Sequence, residues 1–191
     1  METASELFCC EIIFTFILSL TKFSIDFLRM HIYNATSNDD LTHKKYMSLA
    51  LEEAKTAFAK DEVPVGAVVV KNHEVVGRGY NQRETLQCPT AHAEILAVND
   101  AARNLKTWRL HDCTVYVTME PCAMCAGALV LSRIATVVFS IRDPKGGACG
   151  TVFNVTNEPK LNHSIEVIDG VCAEESLHLV QSFFREKRKK K

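Results

Sequence analysis

Apolar and polar positions along this chain fall into blocks of two different periods. Met47, Ala50, Leu51, Ala54, Ala57 and Phe58 recur every three or four residues, and Asp40 or Thr42 stands where a helix start needs an oxygen, so the spacing predicts an amphipathic helix over Lys44 to Lys60. The β-branched runs Val65 to Val70 and Val75 to Asn81, joined by Lys71-Asn72-His73-Glu74, predict two antiparallel strands and a hairpin. A helix over Ala91 to Asn104, a strand over Thr114 to Met119, a helix over Pro121 to Leu131 and a strand over Ala135 to Phe139 follow. Asp143 to Gly150 holds three glycines and a proline and reads as a loop, before a short strand over Glu166 to Ile168. The last helix is expected from Glu174, with Leu177, Val180 and Phe184 as its apolar stripe and Phe183 and Arg185 flanking it. This alternation implies an α/β fold: a sheet with crossover helices.

Upstream, Asn34 to Thr42 is polar and rich in turn residues, which separates an N-terminal extension (1–42) from a domain over 43–191. The apolar stretch Leu7 to Leu20 is short for a membrane span, which needs roughly 20 residues. Glu2 and Glu6 precede it with no base, against the positive leading region of an export signal, so no membrane association is expected. An accessory helix, or a true start at Met30, are the alternative readings. The net charge of -1 conceals an asymmetry: residues 1–42 hold six acids and two bases, leaving 17 acids and 20 bases beyond them. Positive charge is concentrated in Arg185-Glu186-Lys187-Arg188-Lys189-Lys190-Lys191, a solvated tail or a surface for an acidic partner. The eight cysteines are irregularly spaced in a chain that is not small, which points to a reducing, cytoplasmic setting.

Two segments carry chemistry: Pro89-Thr90-Ala91-His92-Ala93-Glu94 and Glu120-Pro121-Cys122-Ala123-Met124-Cys125. Each opens a predicted helix, and Pro121 suits the first helical position, from which Cys122 and Cys125, three apart, project on one face. The positive end of a helix favours thiolates, and two thiolates can share an ion. With His92 as third ligand, a tetrahedral zinc keeps its fourth position open, as catalytic sites do. Glu94, two residues from His92, is directed elsewhere and is free to carry a proton. Alone, Cys-x-x-Cys also marks redox sites and half of a zinc ribbon. The six other cysteines supply no second such pair, and Cys113, Cys149 and Cys172 read as core or loop residues. His-x-Glu followed by Pro-Cys-x-x-Cys is the pattern of the zinc nucleobase deaminases.

From His43 onward the sequence resembles the bacterial-type tRNA adenosine deaminases of the cytidine deaminase superfamily, which convert a wobble adenosine to inosine. The resemblance rests on Glu62-Val63-Pro64-Val65-Gly66-Ala67-Val68, Gly79-Tyr80-Asn81, the two motifs above, Cys125-Ala126-Gly127-Ala128, Ser132-Arg133-Ile134, Asp143-Pro144-Lys145-Gly146-Gly147-Ala148, Leu161-Asn162-His163 and the Phe183-Phe184-Arg185 ending. It implies a three-layer fold with a central mixed sheet of about five strands, one zinc per subunit, a homodimer, and a tRNA anticodon stem-loop as partner. It also implies that Asn81 bonds the target base or its ribose, that backbone near Ala93 and Cys122 helps to hold the reactants, and that Asp143 meets the target's sugar or backbone. Asn162, Phe184, Arg185 and Arg188 would lie along the anticodon loop. Deamination of a free guanine or cytosine at the same zinc site is the alternative. Cys88 departs from the family's usual Asp before this Pro-Thr-Ala-His motif; it is expected to perturb the loop without ligating metal.

Overall fold

The computed structural model describes residues 39–190. The readings made for Leu7 to Leu20 and for a start at Met30 lie outside those residues. By its internal contacts the chain divides into two compact units, Met1–Thr42 and His43–Lys191. The described residues of the first, 39–42, are helical.

In the second unit helix α1 runs over 43–59, with Met47, Ala50, Ala54 and Ala57 wholly buried along one stripe. Strands β1 (Gly66–Lys71) and β2 (Glu74–Tyr80) pair antiparallel with Lys71 opposite Glu74. Asn72 and His73 between them both have positive φ, 49° and 64°, which is the type I′ hairpin turn that matches strand twist. There follow α2 (Arg83–Leu86), α3 (Ala93–Leu105), β3 (Thr114–Met119), α4 (Ala123–Leu131), β4 (Thr136–Ile141), β5 (Glu166–Asp169) and α5 (Ala173–Lys189).

The five strands form one mixed sheet in the order β2-β1-β3-β4-β5, antiparallel from β2 to β3 and parallel from β3 to β5. Period-two alternation divides its two faces. Ala67, Val69, Val115, Val117, Val137 and Phe139 pack with α3 and α4, whereas Val68, Val70, Tyr116 and Val138 pack with α1. Helices therefore cover both faces, giving three layers. Gly77 and Gly79 let α3 lie directly on β2, since a Cβ on either would collide with the backbone of α3 at Ala97 and Ala93.

Several features differ from the sequence-based expectation. Helix α3 begins at Ala93 and α4 at Ala123, because His92 (φ -79°, ψ 153°) and Cys122 (φ -73°, ψ 173°) are still extended; Pro121 thus lies before the helix, not in its first turn. The short α2 was not legible in its polar sequence. The buried residues of α5 are Ser176 and Phe183, with Val180 half-buried, in place of the expected stripe of Leu177, Val180 and Phe184. Phe183 is 5% exposed and meets Phe58 edge-on at 5.6 Å, whereas Leu177 and Phe184 are 46% and 43% exposed. A polar Ser176 within the stripe hid its true phase.

Candidate active site

The parallel strand β3 delivers Glu120-Pro121-Cys122 to the start of α4, and the turn after α2 delivers His92 to the start of α3. His92 Nδ1 lies 3.5 Å from Cys125 Sγ and 3.8 Å from Cys122 Sγ. The donor atoms of His92, Cys122 and Cys125 all fall within 4.8 Å of one another, and among the described residues this is the group that could hold a metal ion.

The electrostatics of this group are crowded. Cys122 is drawn down to about 3 by the hydrogen bond from Cys125, then by the one from His92, with burial opposing both. Cys125 moves the other way, because it donates to Cys122 and because it is buried beside Glu94. His92 is raised, chiefly by its hydrogen bond to Cys122. Glu94, 4% exposed, is raised above the ordinary carboxyl range by burial, with the charge on Cys122 adding to it. Neither cap residue makes a conventional side-chain capping hydrogen bond, and the first N–H groups of α3 and α4 turn their positive ends toward this site. One imidazole and two sulfurs, gathered on two helix starts with excess negative charge, match the donor set and charge of a zinc site.

An open cavity of about 130 Å³ adjoins the group, lined by Asn81, His92, Ala93, Glu94, Cys122 and Asp143, with Val63 and Val65 supplying apolar wall. Cys125 sits behind it, wholly buried. Two grooves lead away. The first is lined by Val63, Glu84, Thr85, Phe184, Lys187 and Arg188, and the second by Lys145, Phe184, Arg185 and Arg188, so Val63 links cavity to groove and Phe184 with Arg188 links the grooves. Lys187 pairs with Asp61 at 2.7 Å, fastening the end of α5 to the corner after α1. Asn162 joins neither groove: it is exposed, and its Oδ1 accepts from Arg133 Nη1 at 2.7 Å.

Two functional side chains escaped the sequence reading. Glu62, wholly buried, accepts from Asn81 Nδ2 at 3.1 Å, Glu84 N at 3.2 Å and Thr85 N at 2.6 Å. Burial works against its ionised form, but the N–H groups of Thr85 and Glu84 and the charge of Arg83 outweigh it and leave the carboxyl below its usual range. Glu120, 3% exposed, accepts from the N–H groups of Asp143 and Cys149 at 3.0 Å and of Thr151 at 3.1 Å. Acids are almost never fully buried unless paired, and both of these are paired. Cys88 stands apart from the metal group; its Sγ contacts Thr90 Oγ1 at 3.4 Å, and this hydrogen bond lowers its thiol. Cys113 and Cys149 belong to the core, and no disulfide joins the described cysteines to one another. Among the described residues no helix is long and apolar enough to cross a membrane.

Residues 41–188 match the family model for MafB19-like deaminases. The tRNA-specific adenosine deaminase of Bacillus subtilis (strain 168) is 53% identical over 146 residues, 76% of this chain and 91% of that protein. The enzyme of the same name from Aquifex aeolicus (strain VF5) is 48% identical over 143 residues, 75% of this chain and 94% of that one. A solved structure from a study of A-to-I editing by tRNA:A34 deaminases at the wobble position of transfer RNA superposes with a TM-score of 0.69 at 39% identity, covering 71% of this chain and 98% of its own. The guanine deaminase of Nitrosomonas europaea superposes less closely, with a TM-score of 0.61 at 25% identity over 73% of this chain and 83% of its own. With a three-layer sheet, a His/Cys/Cys group at two helix starts and relatives that align along nearly their whole length, the chain belongs to the tRNA-specific adenosine deaminases.

Proposed function

We propose that this protein hydrolyses the wobble adenosine of a tRNA anticodon loop to inosine, with one zinc per subunit held by His92, Cys122 and Cys125. The observation that supports this most directly is that Glu94 lines the same cavity as His92 and Cys122. When bound at such a site, zinc lowers the pKa of a water toward neutrality. Glu94 takes one proton from the attacking water and gives it to the purine ring nitrogen, then takes the second from the hydroxyl newly bonded to carbon 6 and gives it to the departing amine. The water oxygen bonds to carbon 6, the bond from carbon 6 to the exocyclic nitrogen breaks, and ammonia leaves. A carboxyl whose pKa is raised by burial accepts and returns a proton near neutral pH better than an exposed one does.

Asn81 and Asp143 hold the extruded nucleotide in the cavity, and Ala93 contributes its backbone. Phe184 offers a stacking face beside Arg185 and Arg188, the combination that binds splayed single-stranded bases and their phosphates. Asn162, fixed by Arg133, meets the same RNA farther from the reacting base. Met124 and Leu131 on α4, 37% and 72% exposed, give the homodimer an apolar contact face. A tRNA substrate and free thiols suit the cytoplasm. The domain that carries this activity is residues 43–191, with 1–42 as an extension.

The test is incubation of the zinc-loaded protein with an anticodon stem-loop that carries adenosine at the wobble position, followed by inosine analysis, with free guanine and cytosine in parallel. Inosine in the stem-loop is the expected result. Deamination of a free base with none in the stem-loop would overturn the reading in favour of a free-nucleobase deaminase.

A further inference from the structure

Asn81 lines the cavity, yet it is 5% exposed and its amide does not stand alone. Its Nδ2 donates to Glu62 Oε2 at 3.1 Å, and a carboxylate can only accept, so this contact settles which end of the amide is nitrogen. The same Glu62 oxygen accepts from Glu84 N, and the other oxygen from Thr85 N. Glu84 and Thr85 line the groove that leads from the cavity toward Phe184. Thus one wholly buried side chain, itself outside the cavity lining, grips a residue of the cavity and two of the groove.

We infer that Glu62 is a positioning residue for the deamination, locking the Asn81 amide in a single orientation so that its oxygen and its remaining N–H meet the target nucleoside in fixed places. An unlocked amide can rotate by half a turn and exchange donor for acceptor, and a nucleoside edge with ordered donors and acceptors then meets the wrong partner half the time. Glutamine at position 62 removes the lock, because it presents both an oxygen and an NH2 group and can pair with either end of Asn81. This inference rests on the cavity being the adenosine site.

A double-mutant cycle tests it, with Glu62→Gln, Asn81→Ala and the pair measured for kcat at saturating anticodon stem-loop and for melting temperature. If Glu62 acts through Asn81, Glu62→Gln lowers kcat by about tenfold in the otherwise native protein and by less than about twofold when Asn81 is already alanine. The fall in melting temperature, which reports the lost Glu84 and Thr85 bonds, is the same on both backgrounds. Equal kcat losses on the two backgrounds, or no loss on the native one, overturn the inference and leave Glu62 a purely structural acid. Should Glu62→Gln fail to fold, Glu62→Asp, which keeps the charge but withdraws it by one methylene, runs the same cycle. A native protein that forms no inosine in the stem-loop sinks the functional reading itself; an active native protein with an additive cycle sinks only this step.

Discussion

Glu94 lines the cavity and Glu62 stands behind its Asn81 wall; both are almost wholly buried, yet they are left in opposite states. Glu62 accepts two backbone N–H groups and one amide N–H, so its charge is solvated by the protein and its pKa falls. Glu94 receives little such help beside the thiols of Cys122 and Cys125, and its pKa rises. Depth therefore does not decide whether a carboxyl is an anchor or a proton carrier; the supply of donors does. Glu120 likewise accepts three backbone N–H groups, which tie the 143–151 loop to it.

The largest effect expected from this contrast is on turnover. Glu94→Gln, isosteric with the protonated acid, is expected to lower kcat by about 10²–10⁴-fold while leaving metal content and melting temperature unchanged or the latter raised. Steady-state kinetics, metal analysis and calorimetry check it, and a variant that loses stability in step with activity would erase the distinction from Glu62. The anchors should behave in the reverse sense. Glu120→Gln sets an NH2 group against buried N–H donors of the 143–151 loop and is expected to cost about 1–3 kcal/mol for each donor left unpaired, read by urea unfolding.

Gly147→Ala probes the same anchor from outside. Its Cβ would fall inside the Glu120 carboxylate and against the carbonyl of Asp143, so a loss of about 1–3 kcal/mol is expected. Glu120→Asp, with a shorter reach, should recover part of it. The smallest effect is one of pH. Because the folded-state pKa of Glu62 is depressed from its ordinary 4.5, its contribution to stability is present above that value and is lost as pH falls through the folded pKa. The stability gap between the native protein and Glu62→Gln should thus narrow on acidification below about 4.5, and a gap that widened would place Glu62 with Glu94.

How much of this was readable beforehand differs between the two sides as well. His92, Glu94, Cys122 and Cys125 announce themselves because metal ligation restricts both residue type and spacing, and the structure gathers the three candidate ligands from two separated segments. The strands were legible because β-branched runs alternate cleanly between two buried faces. Glu62 and Glu120 were not singled out, since their partners are mostly backbone N–H groups and a backbone donor leaves no mark on sequence. The α5 stripe was misphased for a related reason: a serine can be buried at a helix–sheet contact, and a phenylalanine such as Phe184 can face outward where a groove uses it.

His92 and Cys122 occupy positions that helices ordinarily give to serine, threonine, aspartate or asparagine, and neither makes a conventional side-chain capping hydrogen bond. Each substitution of a ligand for a conventional cap forgoes about 0.5–2 kcal/mol of local stability. The two helix starts that line the cavity are consequently the less self-sufficient ends of α3 and α4. On the proposed zinc reading, an ion grasped in common by the imidazole and the sulfurs would supply their rigidity, so that ordering of these two helix starts and metal loading would become a single event.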